Sequence, residues 1–191
     1  MRDRLDGMVP LIVAGEIGFW VVLAVALAVR YGLRLRRTGA VLLALLPVVD
    51  LLILAATVAD LRGGAVADWT HGLAASYVGF SVAYGHYLVR WADGHAAHRL
   101  SGAPRPAGPP KYGPARAAHE WRMFLRTLVA SALTVVLIAA VQWLVGDAAR
   151  TAGLDSWYPR MALVVGINLV IAASYTVFPK HEPGTAADRR P

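Results

Sequence analysis

Five apolar stretches, separated by short polar and basic segments, dominate the chain. Each is close to the length of about 20 helical residues that crosses a hydrocarbon core. An open strand in lipid would leave backbone groups unpaired, so each stretch is predicted to be an α-helix. The pattern therefore predicts an all-α bundle of five transmembrane helices that forms a single membrane domain over residues 1–191. The predicted spans are residues 8–29, 39–58, 72–89, 127–145 and 159–178.

The first apolar stretch has some features of a signal peptide. Arg2 and Arg4 precede it, and Ala26-Leu27-Ala28 resembles a small-residue cleavage site. However, the stretch is longer than a signal core, contains Glu16, and is followed by four arginines between residues 30 and 37. Such a basic cluster acts as a stop-transfer sequence. We therefore predict a retained transmembrane helix.

Composition supports lipid as the solvent of this chain. Of its 191 residues 57% are apolar and 16% are charged, and the mean hydropathy is +0.50. Soluble domains are typically about 45 to 50% apolar and about 25% charged, so a soluble enzyme is largely excluded. The chain has no cysteine, which also excludes disulfides, thiolate metal sites and cysteine nucleophiles. We expect a multi-pass protein of the cell membrane.

The basic residues predict the orientation of the spans. The net charge is +7, and its positive residues are spread over the segments between the spans. If the loop after the first span is cytoplasmic, 14 of the 19 Lys and Arg residues lie inside and 5 lie outside. The positive-inside rule then predicts an outside N-terminus and an inside C-terminus.

Tryptophans are predicted to form belts at the two membrane interfaces. Trp69, Trp143 and Trp157 fall at the outer boundary of their spans, and Trp91 and Trp121 fall at the inner boundary. Their positions agree with the orientation derived from charge.

The longest segment between spans, residues 91–126, contains five of the eleven prolines and many basic residues. Its composition predicts a stiff, extended cytoplasmic connector with a short helix after Pro114. Its basic residues are expected to face anionic lipid headgroups, and no nucleic-acid partner is expected.

Several short strings are distributed along the chain in a characteristic order and spacing. The strings are Gly15-Glu16-Ile17-Gly18-Phe19-Trp20, Val49-Asp50-Leu51, Asp60-Leu61-Arg62, His71-Gly72-Leu73-Ala74, Arg90-Trp91-Ala92-Asp93, Pro110-Lys111-Tyr112-Gly113 and Ser174-Tyr175-Thr176. In this order and spacing they resemble the YmcC-type small membrane proteins of bacilli and actinobacteria. The resemblance spans roughly residues 10–180 and implies a multi-span membrane protein, with little information about chemistry.

Two acidic residues lie deep within predicted spans, and they are the candidate catalytic residues. Glu16 and Asp50 are each placed about 12 to 15 Å below the outer end of their spans. An ionisable side chain at such depth costs about 2.5 to 3.5 kcal/mol on insertion scales, which makes it a functional candidate. If the two carboxyls approach each other, desolvation and like charge would keep one protonated, ready to act as a general acid.

A structural explanation of the same acids stays open. Each carboxyl would then hydrogen bond to a neighbouring helix and stabilise the bundle, as Asn or Gln would. For Asp50 a local reason also exists, because Pro47 frees the carbonyl of Leu43 and a neutral acid could satisfy it.

Four other side chains are predicted to line a substrate pocket open to the outer half of the membrane. Trp20 lies one helical turn after Glu16, Tyr77 and His71 lie in the outer part of the third span, and Asn168 lies in the fifth. Interhelical hydrogen bonding is the alternative role for Tyr77 and Asn168. The third span also carries a small-residue seam of Gly72, Ser76, Gly79 and Ala83 beside a polar stripe of Tyr77, Ser81 and Tyr84.

Motifs for soluble chemistry are absent from the sequence. It has no G-x-S-x-G, P-loop, H-E-x-x-H or G-x-G-x-x-G string. His95 and His98 are too few to predict a metal site, and no metal or cofactor is expected.

Three functions fit these residues. The first is acid catalysis on a lipophilic isoprenoid substrate, with a layout similar to that of integral-membrane terpene cyclases. Protonating an alkene requires a positioned acid, aromatic faces to stabilise a carbocation and exclusion of water. The second is proton-coupled transport, and the third is a structural or regulatory membrane protein. The lack of internal repeats counts against a transporter.

Overall fold

The computed structural model describes residues 17–18, 21–22, 24–30, 33, 35, 38–39, 42 and 46–180. Within these residues the fold is all-α and contains no strand, as predicted. Residues 24–30 are helical. From residue 46 onward the helices are α1 (Leu46–Arg62), α2 (Trp69–Ser101), α3 (Gly113–Val145), the short α4 (Ala148–Thr151), a 3-10 turn (Ala152–Leu154) and α5 (Trp157–Val177).

Helix α3 lies at the centre of the described bundle. It packs along both α2 and α5, whereas α1 packs mainly on α2 and touches α3. The main apolar core lies where these helices meet and includes Leu61, Ala75, Ile138 and Leu154. A second, smaller contact joins Ala26 to Val89, so residues near the end of the first predicted span pack on α2.

The ends of the long helices follow local chemistry. The Asp68 side chain accepts from the Thr70 amide and so caps the start of α2, and Pro114 lies in the first turn of α3, where its missing N–H is not needed. The two helices end at Gly102 and Gly146, which have φ of 65° and 68°. These left-handed conformations favour glycine because other residues pay a steric cost there.

Two helical regions of the described chain are long and apolar enough to cross a membrane, Gly113–Val145 and Ala148–Val177. They contain the predicted fourth span and all but the last residue of the predicted fifth span. Helix α2 contains the predicted third span, and α1 overlaps the second from residue 46. Most of the first span lies outside the described residues. The number of spans and their orientation therefore stay predictions.

The segment 91–126 differs from the predicted extended connector. Helix α2 continues to Ser101 and α3 already begins at Gly113, so only residues 102–112 are non-helical. The reason is the position of the prolines, since none lies between residues 91 and 103 and Pro114 is compatible with a helix start. The helix predicted after Pro114 is present, but it continues without a break into the fourth span.

Because α2 and α3 continue past the predicted inner boundary, they form a helical hairpin there, which we call the inner hairpin (residues 90–126). Each helix has 33 residues, or about 50 Å, whereas a hydrocarbon core is about 30 Å thick. Helix α5 has 21 residues and ends beside the hairpin, where Trp121 Nε1 donates to Thr176 Oγ1 at 2.9 Å. At the hairpin, Arg30 forms an ion pair of 2.9 Å with Asp93.

Candidate functional site

The candidate site lies along the antiparallel interface of α1 and α2. Two polar pairs connect these helices, Asp60 with His71 near the loop and Asp50 with Ser81 deeper in the bundle. Along each helix the two positions are ten residues apart, or about 15 Å. Ser81 lies in the middle of the predicted third span. The Asp50–Ser81 pair is therefore near the centre of the predicted hydrocarbon core.

Asp50 is buried and hydrogen bonded. Its side chain Oδ2 accepts from the Ser81 hydroxyl, and the residue is 9% exposed. The sequence placed Ser81 in the polar stripe of the third span but did not identify it as the partner of Asp50. The sequence nevertheless contains an indication of this pairing. Asp60 and His71 lie at equal distances from the short loop, and continuing this antiparallel register along both helices places residue 50 opposite residue 81.

Tyr77 lies one helical turn above Ser81 on α2, on the same face. It is 39% exposed, so its ring is only partly enclosed by the described residues. This position, next to the Asp50–Ser81 pair along the helix, keeps Tyr77 a candidate for contact with a lipophilic molecule.

His71 is buried in the first turn of α2 between two carboxylates. Its Nδ1 lies 2.8 Å from Asp68 Oδ1, and its Nε2 lies 3.5 Å from Asp60 Oδ2. The Asp68 amide also lies 3.2 Å from the same Nδ1, which completes a capping box at the start of the helix. The structure therefore gives His71 a structural contact at the helix end, about 15 Å from Asp50 along the interface.

The Asp68 carboxylate is stabilised in its charged form. Partial burial alone would raise the pKa of this group, but hydrogen bonds from the Thr70 and His71 side chains and the Thr70 amide outweigh it. The pKa of Asp68 therefore lies below its ordinary value.

Asn168 belongs to a separate hydrogen-bond network that connects α2, α3 and α5. Its Oδ1 accepts from Thr127 Oγ1 at 3.3 Å, and its Nδ2 donates to the Val164 carbonyl at 2.9 Å. The Tyr84 hydroxyl lies 2.6 Å from the same Thr127 oxygen. Tyr84 is one turn below Ser81, on the inner side. The structure thus connects Asn168 with Tyr84 and Thr127 through hydrogen bonds, and shows no hydrogen bond from it to Asp50.

The small-residue seam of α2 makes close contacts with α3 and α5. A Cβ at Gly79 would lie 2.5 Å from Thr134 Oγ1 and 2.6 Å from the Ala130 carbonyl oxygen, and one at Gly72 would overlap the Trp157 indole. Trp157 is the first residue of α5 and is only 7% exposed, so its ring packs inside the bundle instead of facing lipid headgroups. The absence of a side chain at Gly72 allows the ring to pack inside the bundle.

The turn that connects α3 to α5 is held by hydrogen bonds at the end of the bundle that is predicted to face outward. The Ala67 amide donates to the Arg150 carbonyl at 2.7 Å, and the Gln142 side chain donates to Asp155 at 2.8 Å. Tyr158 donates to Gln142 Oε1 at 2.7 Å. These bonds attach the turn to the loop before α2 and to the ends of α3 and α5.

Glu16 and Trp20 lie outside the described residues, and so does the side chain of Pro47. Their predicted roles beside Asp50 stay predictions. Across the ranges that the structure describes, no group of three or more His, Cys, Asp or Glu side chains is arranged to hold a metal ion. The His95 and His98 rings instead contact the carbonyls of Trp91 and Ala103, at 2.8 and 2.7 Å.

These features define a helical membrane protein with polar side chains buried between its helices. A curated protein of Bacillus subtilis (strain 168), named "Uncharacterized membrane protein YmcC", is 37% identical over 183 residues, which cover 95% of this chain and 98% of that protein. The chain belongs to the YmcC family of membrane proteins, as its short strings indicated. No protein-family model and no solved structure matches it.

Proposed function

We propose that the chain crosses the cell membrane five times, with its N-terminus outside and its C-terminus inside. The 14 to 5 distribution of basic residues supports this orientation. The Arg30–Asp93 ion pair supports placing the end of the first predicted span and the inner hairpin on the same side of the membrane. Because the number of spans between residues 8 and 178 is odd, the two termini lie on opposite sides of the membrane in this proposal.

We further propose that Asp50 is a proton-donating and proton-accepting group for a lipophilic molecule in the membrane. The observation that carries this proposal is a buried carboxyl, hydrogen bonded to Ser81, near the centre of the predicted hydrocarbon core. An ionisable side chain at this depth costs about 2.5 to 3.5 kcal/mol on insertion scales, which makes Asp50 a functional candidate. The Ser81 hydroxyl donates to Oδ2, which leaves Oδ1 to carry the acidic proton.

The chemistry proposed is isomerisation or cyclisation of an isoprenoid alkene. Asp50 transfers its proton to one alkene carbon, and the carbocation that forms then loses a proton from a neighbouring carbon to the Asp50 carboxylate. The product has the same formula as the substrate, so no cofactor or other reactant is needed. Tyr77 is proposed to contact the cation through its ring, together with Trp20, and Glu16 is the second candidate acid. In this proposal Asn168 and His71 support the walls of the site.

The test uses deuterium because the substrate is unidentified. Membranes that contain the full chain are incubated in D2O buffer with the total lipid extract of the host, and lipids are analysed by mass spectrometry. Each turnover should add one deuterium to a prenyl lipid. Asp50→Asn should reduce this incorporation by about 10²- to 10⁴-fold, the usual contribution of a general acid, and leave folding intact.

The matched control is Asp147→Asn, because Asp147 caps the short helix α4 outside the span and asparagine caps equally well. Membranes with the Asp147→Asn variant should incorporate as much deuterium into prenyl lipid as membranes with the wild type. Glu16→Gln is tested beside it as the second acid, and Trp20→Ala should lower turnover more than stability. Unchanged incorporation in the Glu16→Gln, Asp50→Asn double variant would contradict acid catalysis.

A structural function is the second candidate, favoured by the hydrogen bonds that join the helices. The Asp50–Ser81 pair resembles the Tyr84–Thr127–Asn168 network, since both connect neighbouring helices by side-chain hydrogen bonds. If this is the role of Asp50, asparagine should replace it without loss of either folding or function, and no lipid should acquire deuterium in an Asp50-dependent way.

A further inference from the structure

The root of the inner hairpin carries a basic and aromatic surface composed of Tyr87, Arg90, Trp91 and Arg126, which we call the root surface. Tyr87, Arg90 and Trp91 are at i, i+3 and i+4 on α2, so they share one helix face. Arg126 of α3 joins them, because its guanidinium lies 4.6 Å from the centroid of the Tyr87 ring. The Arg126 guanidinium therefore lies over the Tyr87 ring, and Arg90 lies on the same face of α2 as that tyrosine.

Acidic residues near this surface are already engaged. The inner hairpin contains two carboxylates, Asp93 and Glu120. Asp93 pairs with Arg30 at 2.9 Å, and Glu120 pairs with Arg116. Within the part of the chain that the structure describes, no carboxylate forms an ion pair with Arg90 or Arg126. The root surface thus has two positive charges and no acidic partner.

The depth of the root surface coincides with the predicted inner boundary of the membrane. Residue 89 ends the third predicted span and residue 127 begins the fourth. Trp91 is 57% exposed, as expected for a tryptophan whose ring lies at the level of lipid headgroups. A long arginine side chain at this level extends its charge toward phosphate while its methylene groups remain against apolar surface.

We propose that the root surface binds the headgroup of an anionic phospholipid, with Arg90 and Arg126 on the phosphate and Trp91 beside the glycerol region. Arginine presents a planar set of donors that fits phosphate oxygens. The Tyr87 ring orients the Arg126 guanidinium through a cation–π contact. This inference does not depend on acid catalysis, because neither arginine is near the Asp50–Ser81 pair.

The positions of the other basic residues allow an experiment to distinguish a lipid partner from a soluble polyanion. Arg99 and Arg105 are exposed and lie toward the tip of the hairpin. Arg99 is nine residues beyond Arg90 on α2, or about 14 Å, which exceeds the Debye length of about 8 Å at physiological salt. Charges at the tip therefore contribute little to the binding of a lipid headgroup at the membrane surface. A soluble polyanion, in contrast, would contact the basic residues of both the tip and the root.

The experiment measures lipids bound to the purified full chain. Detergent-solubilised protein is offered an equal mixture of phosphatidylglycerol and phosphatidylcholine, and native mass spectrometry gives the ratio of the two bound lipids. The wild type should prefer phosphatidylglycerol. Arg90→Gln with Arg126→Gln should lower this preference roughly 30-fold, about fivefold for each arginine near the surface.

Arg99→Gln with Arg105→Gln is the matched control, since it removes the same charge from the same hairpin and should change the preference less than twofold. Arg90→Gln alone, at an exposed position, gives a fivefold effect if the double variant does not fold. Equal losses in the root and tip pairs, or no preference in the wild type, would overturn the proposal. Heparin binding through the tip pair, with no root-dependent lipid binding, would also overturn it and indicate a soluble polyanion.

Discussion

At the scale of single residues, many polar side chains of the described bundle are paired with groups on neighbouring helices or at helix ends, whereas Ser131 Oγ and Trp157 Nε1 are buried without a hydrogen-bond partner. Ser81 donates to the buried Asp50 carboxyl, and Thr127 donates to Asn168 across two helices. An unpaired polar group in an apolar interior costs about 1 to 3 kcal/mol, so these bonds are needed for folding in any functional interpretation. Function therefore has to be separated from stability by substitutions that keep hydrogen bonding and remove proton transfer.

Asp68 gives a pH-dependent prediction at this scale. Because its pKa is lowered in the folded protein, the charged carboxylate stabilises the fold above about pH 4, and that contribution is lost as pH falls through the lowered pKa. Replacing this N-cap by alanine should cost about 0.5 to 2 kcal/mol at pH 7. Thermal unfolding of wild type and Asp68→Ala in detergent, from pH 7 to pH 3, measures the difference.

The difference in Tm between the two proteins should shrink as the pH falls. Asp68→Asn is the control, because asparagine retains the cap but has no carboxylate to titrate. A Tm difference between wild type and Asp68→Ala that does not change with pH would show that the charge of Asp68 contributes nothing.

At the scale of helices, α2 and α3 are held close by a seam that has no room for larger side chains. Gly79 faces the Thr134 hydroxyl and the Ala130 carbonyl, and the buried Thr127, Ser131 and Thr134 form the opposing stripe on α3. Small residues promote helix association in lipid because they let two backbones approach and increase van der Waals contact.

Gly79→Val should separate the two helices and destabilise the bundle by about 1 to 3 kcal/mol, since the new side chain would overlap α3. Resistance to SDS-induced unfolding measures the change. Gly85→Val is the matched control on the same helix, because a Cβ there meets no atom within 4 Å. Equal stability of the two variants would show that the seam does not require glycine at position 79.

At the scale of the whole molecule, the hydrophobic lengths and the charges imply one arrangement in the membrane. In the proposed arrangement the inner hairpin extends the paired helices beyond the hydrocarbon core, while α5 ends near the base of the hairpin, where Trp121 bonds to Thr176. The hairpin has seven Lys and Arg residues and two acidic ones, so moving it across a membrane would be unfavourable under the positive-inside rule.

Reporter fusions check this arrangement. Alkaline phosphatase is active only outside the cytoplasm, so a fusion after Ala107 in the inner hairpin should be inactive and one after Ala65 should be active. The 14 to 5 asymmetry of basic residues is the physical reason. An active fusion after Ala107 with an inactive one after Ala65 would show that the orientation is reversed. Equal activity at both sites would show that no span lies between them.

The sequence alone determined the features that depend on local hydrophobicity and on helix periodicity. It predicted the helix that contains residues 127–145, the helix that contains residues 159–177, and the small-residue seam of α2. These depend on the length of an apolar run and on the 3.6-residue period, both of which are local properties of the chain. The family was likewise recognisable from strings distributed along the chain.

Only the tertiary structure decided which side chains meet. Nothing in the sequence indicated that Trp157 lies on Gly72 inside the bundle. The loop register pairs residues 50 and 81, but only the packed helices show the hydrogen bond from Ser81 to Asp50. The prolines likewise indicated a long extended connector. In the structure α2 continues to Ser101 and α3 already begins at Gly113. These features depend on the register and rotation of one helix against another. Periodicity defines the polar face of each helix, but the packing of the whole bundle selects the residues that this face contacts.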